Sequence, residues 1–135
     1  MPLPEVWLRA RLDSATTAGV HPVLGPQNAP FPIVVYRRTG TRRERHLMGP
    51  VSKPVATFSV SIVSYTYSEA KAIAEDIRLA VDNFTGTASG VTIDYVALVA
   101  EADNMERPLE GQSKPLYRVD QSYEVRFTES VQGGA

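Results

Sequence analysis

The strongest constraint on this chain is one change of period between residues 55 and 84. VATFSVSIVSY (55–65) alternates: Ala56, Phe58, Val60 and Ile62 face one way, and Thr57, Ser59 and Ser61 the other. That is the period of a half-buried strand. In SEAKAIAEDIRLAVDNF (68–84), Ala70, Ile73, Ala74, Ile77, Ala80, Val81 and Phe84 instead gather into one helical stripe. Ser68 can cap this helix, Thr66 with Glu69 forms an alternative capping box, and Gly86 ends it. It spans about 16 residues, or about 24 Å. A strand with one apolar face, feeding a helix with one apolar stripe, buries both by laying helix on sheet.

The rest of the chain supplies similar parts. Residues 4–16 predict a helix: Pro4 suits its first turn and Glu5 its positive end, with Leu8, Leu12 and Ala15 on one face and Trp7 and Ala10 beside them. Gly19 ends it. Strands are predicted over Phe31–Thr39, over 91–101 (VTIDYVALVAE) and over 116–128 (LYRVDQSYEVRFT). The last puts Tyr117, Val119, Tyr123, Val125 and Phe127 on one face, with Gln121 among them. Segments 19–32, 40–54 and 102–115 read as long surface loops, the first because of its four prolines and two glycines. Residues 129–135 read as a flexible tail. The fold class expected is therefore α+β: a single domain over 1–135, its ordered core about 3–128, with one mainly antiparallel sheet of about four strands, two helices on one face, and the order αββαββ.

Charge is unevenly spread. The chain's formal net charge is −1, yet RRTGTRRERH (37–46) holds five arginines against Glu44. Residues 94–110 hold Asp94, Glu101, Asp103, Glu106 and Glu110 against Arg107. The basic run admits three readings: a solvated loop, a protein contact, or a nucleic-acid contact. Nucleic-acid binding normally adds stacking aromatics or a recognisable module, and no aromatic follows Tyr36 in the run. A basic loop on one subunit and an acidic segment on the next would instead make a head-to-tail interface, which can close into a ring. Arg37, Arg38, Arg42, Arg43, Arg45, His46, Glu101, Asp103, Glu106 and Glu110 are the candidate interface residues.

The inventory of reactive groups is thin. With no cysteine, disulfides, thiolate metal sites and a Cys nucleophile are excluded. There is no G-x-S-x-G, G-x-G-x-x-G, P-loop or H-E-x-x-H. His21 and His46 fall in predicted loops without ligands at metal spacing, and Asp94, Glu101 and Asp103 read as solvated charges at a strand end. Ser89 in GTASG reads as part of a tight turn between helix and strand. The expectation is a non-enzyme with no cofactor and no metal. No stretch approaches the roughly 18 apolar residues of a membrane span and no secretory leader is visible, so a soluble protein made in the cytoplasm is expected. Loops as long as the elements they join suggest contact surfaces that order in an assembly.

PEVWLRARL, APFPIVVYRR, ATFSVSIVSYTYSEA, AKAIAEDIRLAVDNFTG, GVTIDYVALVAEAD and LYRVDQSYEVRFTE follow one another in an order that resembles the tail-completion, or tail-terminator, proteins of long-tailed bacteriophages and related tail-like particles. The likeness covers residues 3–128. It implies a structural virion protein, assembled in the bacterial host cytoplasm. It further implies a ring, usually hexameric, at the head-proximal end of the tail tube, which stops tube polymerisation and docks a neck or head-completion protein. The family has no active site to transfer, and its resemblance assigns no role to the basic loop. The alternative is a small nucleic-acid-binding domain using Arg37–His46, or a ring whose arginines face a passing duplex.

Overall fold

A computed structural model describes residues 3–22, 30–43, 45–46, 49–50, 53–106 and 115–128. Two helices, α1 (Pro4–Ala15) and α2 (Tyr67–Val81), lie on one face of a six-stranded sheet. The strands are β1 (Gly19–Pro22), β2 (Ile33–Arg42), β5 (Val55–Ser64), β6 (Gly86–Ala88), β7 (Val91–Glu106) and β8 (Leu116–Thr128). A separate two-stranded ribbon joins β3 (Arg45–His46) to β4 (Gly49–Pro50). The sheet order is β1-β2-β5-β8-β7-β6, antiparallel throughout except for β1 on β2.

The α+β class and the helix-covered face follow the sequence. The strand count and order do not, and each of the three expected loops contains pairing. Segment 19–32 includes β1, whose Val20 and His21 lie beside Val34 and Val35. Segment 40–54 holds the end of β2 and the β3–β4 ribbon. Segment 102–115 holds five further residues of β7, with Ala102 opposite Asp120 and Glu106 opposite Leu116. β2 begins two residues later than Phe31 because Pro32 has no N–H to give a ladder. Ser89 does sit in a tight turn, but between two strands: Ser89 and Gly90, both at positive φ, link the paired Ala88 and Val91. Two left-handed residues match the twist of a hairpin, and Gly90 adopts that conformation without steric cost.

Alternation builds the core. Ala56, Phe58, Val60 and Ile62 of β5 are fully buried, as are Val119, Tyr123 and Val125 of β8 opposite them. Against them pack Trp7, Leu8 and Leu12 of α1 and Ala70, Ala74, Ile77 and Val81 of α2. Ala10 is exposed, so α1 seals through a narrower stripe than expected. Thr57, Ser59 and Ser61 occupy the other, polar face. Thr66 caps α2 by accepting the Glu69 N–H. Glu69 completes only half a capping box, since its carboxylate takes the Ser64 hydroxyl instead. The helix stops at Val81, short of Gly86, and Asn83 supplies the left-handed residue just beyond it.

The two helices run antiparallel and are tied at one end. The Trp7 ring meets Phe84 at 5.3 Å, and the Arg11 guanidinium covers the other side of the contact, 4.7 Å from the Phe84 centroid. Arg11 also donates twice to the Ala80 carbonyl at the end of α2. Gln121 is a buried polar group inside the core, as Ser64 is at the end of β5. Its Nε2 donates to the Ala74 carbonyl and to Glu101, and its Oε1 accepts from the Tyr123 hydroxyl. Burial pushes that hydroxyl's pKa far above its ordinary value, so it stays a donor.

Trp7 Nε1 is buried without an acceptor among the described residues. The ring is thus held by packing alone. Trp7→Ala should cost about 3–5 kcal/mol in denaturant unfolding. Trp7→Phe should cost clearly less, because it also discards a donor that has no partner. Equal losses for the two substitutions would contradict this account.

Candidate assembly interface

The registers place Arg42 of the basic run and Asp103 and Glu106 of the acidic run at opposite ends and opposite sides of one sheet, while Asp94 lies at the basic end, beside Lys53. At one end Arg42, Val55, Arg126 and Tyr95 lie in a row across β2, β5, β8 and β7. At the other, Asp103 faces Val119 and Glu106 faces Leu116. Ten β8 residues separate Leu116 from Arg126, about 33 Å at strand rise. Within a subunit Arg42 is therefore far from the Asp103–Glu106 end of β7.

The candidate arginines divide by strand parity. Arg37 is exposed and opposite Ser59, on the polar face. Arg38 turns to the helix side, opposite Phe58. There it grips Glu5 in the first turn of α1 through two hydrogen bonds, at 3.1 and 2.6 Å, and stacks over the Phe58 and Phe127 rings. A forked arginine–carboxylate pair laid on aromatic rings anchors the start of α1 to the sheet. Arg38 is thus committed inside the subunit. Arg42 ends β2 in an exposed position and Arg43 follows it, also exposed. Arg45 and His46 form β3, opposite Pro50 and Gly49.

The acidic candidates are also partly engaged. Glu101 and Asp103 lie on the helix side of β7, where Lys71 of α2 reaches both, at 3.4 and 3.2 Å. The Tyr67 hydroxyl donates to Asp103 at 2.6 Å. Glu106 is the last residue of β7, and Glu110 lies outside the described residues. Sequence reasoning missed Glu5, Tyr67 and Lys71, each some 30 residues from its partner. No local signal marks such pairs.

A surface cleft runs between the end of α1 and the start of α2, lined by Asp13, Thr16, Pro32, Glu69, Ile73 and Asp76 among others. Of its acids, Asp13 pairs with Arg9 and Glu69 accepts the Ser64 hydroxyl. No three His, Asp or Glu residues among those described cluster to hold a metal ion, and no described helix is long and apolar enough to cross a membrane.

The Tyr67–Asp103–Lys71 cluster should titrate as a unit. The Tyr67 hydrogen bond, then the Lys71 contact, hold the Asp103 carboxyl below its ordinary value of 3.8. The bond to Asp103 raises both Tyr67 above 10.0 and Lys71 above 10.5. A lowered acid contributes stability above its unfolded pKa and loses it as pH falls through the folded one; raised groups contribute below theirs and lose it as pH rises. The cluster is therefore intact between about pH 4 and pH 10. Tyr67→Phe should move the Asp103 pKa back up toward 3.8, read by carboxyl NMR titration; an unmoved value would refute the hydrogen bond's role.

The chain superimposes on a solved chain described as "Virion of native gene transfer agent (GTA) particle" with a TM-score of 0.67 and 15% identity, over 92% of each chain. A second solved chain, also 15% identical, superimposes at TM-score 0.50 over 94% of this chain and 95% of its own. At such identity the likeness is one of fold. No curated protein matches the chain. The family described as tail completion protein gp17 matches residues 7–128, and the chain belongs to that family.

Proposed function

We propose that this tail protein forms a closed ring of identical subunits, hexameric, at the head-proximal end of the tail tube. There it ends tube polymerisation and presents a docking surface for the neck or head-completion protein. Family membership supports the tail role. The observation that carries the ring is the segregation of opposite charge to opposite corners of one sheet. A surface that is basic on one side and acidic on the other pairs head to tail, and head-to-tail contacts close into rings when the rotation allows. In this reading Arg42 and Arg43, with Arg45 and His46 of β3 following, supply the basic side, and Glu101, Asp103 and the end of β7 at Glu106 supply the acidic side; Glu110, also a candidate, lies outside the described residues. The work is mechanical, and needs neither a cofactor nor a metal.

The nucleic-acid reading draws on the same arginines, and Arg38 is lost to it through Glu5. Mass in solution at rising protein concentration and salt, with and without the tube protein, separates the two. A discrete ring, or capped tube ends, supports the proposal. A monomer that binds oligonucleotides with a steep salt dependence overturns it. Joint charge reversal, Arg42→Glu with Arg43→Glu and Arg45→Glu, should raise the assembly midpoint at least about tenfold while the subunit stays folded. Unaltered assembly would remove the basic side from the interface.

A further inference from the structure

Two stretches of strand in this sheet have no neighbour among the described residues, and they carry opposite charge. β7 is covered on its outer side only as far as Leu98. β6 pairs with Val91–Ile93, the Asn83 N–H reaches the Val96 carbonyl, and the Asp82 carboxylate accepts the Leu98 N–H. From Val99 the strand runs on to Glu106 with β8 on one side alone. On the opposite side of the sheet β1 pairs with β2 only up to Tyr36, and β2 continues for six residues to Arg42.

The direction of the backbone groups follows from the ladder. Leu98 and Val96 turn their polar groups away from β8, so Leu98 opposite Tyr123 is a pair without mutual hydrogen bonds. Such pairs alternate along an antiparallel ladder, so Gln121, Val119 and Tyr117 belong to the same class. Their partners Glu101, Asp103 and Met105 therefore aim N–H and C=O outward. Carried through β8 and β5, the same alternation turns Arg37, Gly40 and Arg42 toward β5 and leaves Arg38 and Thr41 facing out.

An unpaired edge invites another strand, and proteins usually blunt it. Here the outer side of β7 is blunted up to Leu98, and beyond it no described residue covers the edge. Charge then selects the partner. Arg37 and Arg42 disfavour pairing of β2 with itself, Arg38 being offset by Glu5; Glu101, Asp103 and Glu106, of which Lys71 offsets part, disfavour pairing of β7 with itself. The remaining combination is β2 against β7.

We infer that the outer edge of β2 over Arg37–Arg42 in one copy of this chain pairs antiparallel with the outer edge of β7 over Val99–Glu106 in the next, so that the sheet continues from subunit to subunit. This rests on the ring reading above and specifies its contact. β2 and β7 run in opposite directions within the sheet, so antiparallel joining keeps every subunit's helices on the same face. The open edges sit at opposite ends, so successive subunits are staggered along the strands. Closed sheets require such a stagger, with strands tilted about 35–45° from the axis.

Proline is tolerated in a strand where its N–H would face outward. Thr41→Pro and Met105→Pro each remove one outward donor and leave the subunit's own ladder intact. The expected result is a folded subunit, by circular dichroism, that loses the assembled species in sedimentation velocity. The chain has no cysteine, so crosslinking gives a second readout independent of folding losses. Thr41→Cys, combined in turn with Glu101→Cys, Asp103→Cys or Met105→Cys, should on oxidation give covalent multimers in at least one combination, because residues 41 and 103 lie on different sides of one subunit. Folded proline variants that assemble as wild type does, or three combinations without intersubunit disulfides, overturn this inference and leave the ring standing. A wild-type chain that stays monomeric with and without tube protein overturns the ring reading itself, and this contact with it.

Discussion

The pairing of β5 with β8 is the constraint on which the rest of the structure depends. Ten residues of β5 lie opposite ten of β8 without a register shift. That regularity keeps Ala56, Phe58, Val60 and Ile62 on one face and aligns them with Val125, Tyr123, Gln121 and Val119. A slip of one residue would turn the serines of β5 inward and expose its core side chains. Both helices pack on the platform so formed. Gln121 sets the lateral position of α2 by donating to Ala74, and Arg38 sets the start of α1 through Glu5.

What could be read from the sequence follows the same logic. β5, β8 and α2 were legible because burial of one face writes a period into the side chains. The capping residue Thr66 was legible as an alternative because it acts locally. The short strands were not. β1 contains Pro22 and β4 contains Pro50, and both read as parts of surface loops because no alternation of apolar residues marks so short a pairing. The far half of β7, Ala102–Glu106, kept its ladder to β8 after it had left the core, so no alternation of apolar residues remained to mark it. Pairing depends on the backbone, and only burial leaves a trace in composition.

The candidate interface was legible as charge and illegible as geometry. The basic run read as one patch, yet strand parity sends Arg38 under the helices and leaves Arg37 on the polar face. The acidic run likewise read as free charge, although Glu101 and Asp103 meet Lys71. That Arg42 and Asp103 sit at opposite corners of the sheet depends on a strand order that links residues tens of positions apart. The family places the chain in a tail, and the corners indicate how copies of it could be joined.

The alternation along β7 has a consequence for solvent access to its amides. Past the bulge between Leu98 and Ala100, the N–H groups of Ala100, Ala102 and Asn104 are tied into the ladder with β8, while those of Glu101, Asp103 and Met105 face away from it. In the isolated subunit, hydrogen–deuterium exchange along this strand should therefore be slow and fast at alternate residues, although all six belong to one continuous element. In any state where a strand covers that edge, the fast set slows and the slow set does not change. The strand thus carries its own internal reference for whether its outer side is occupied.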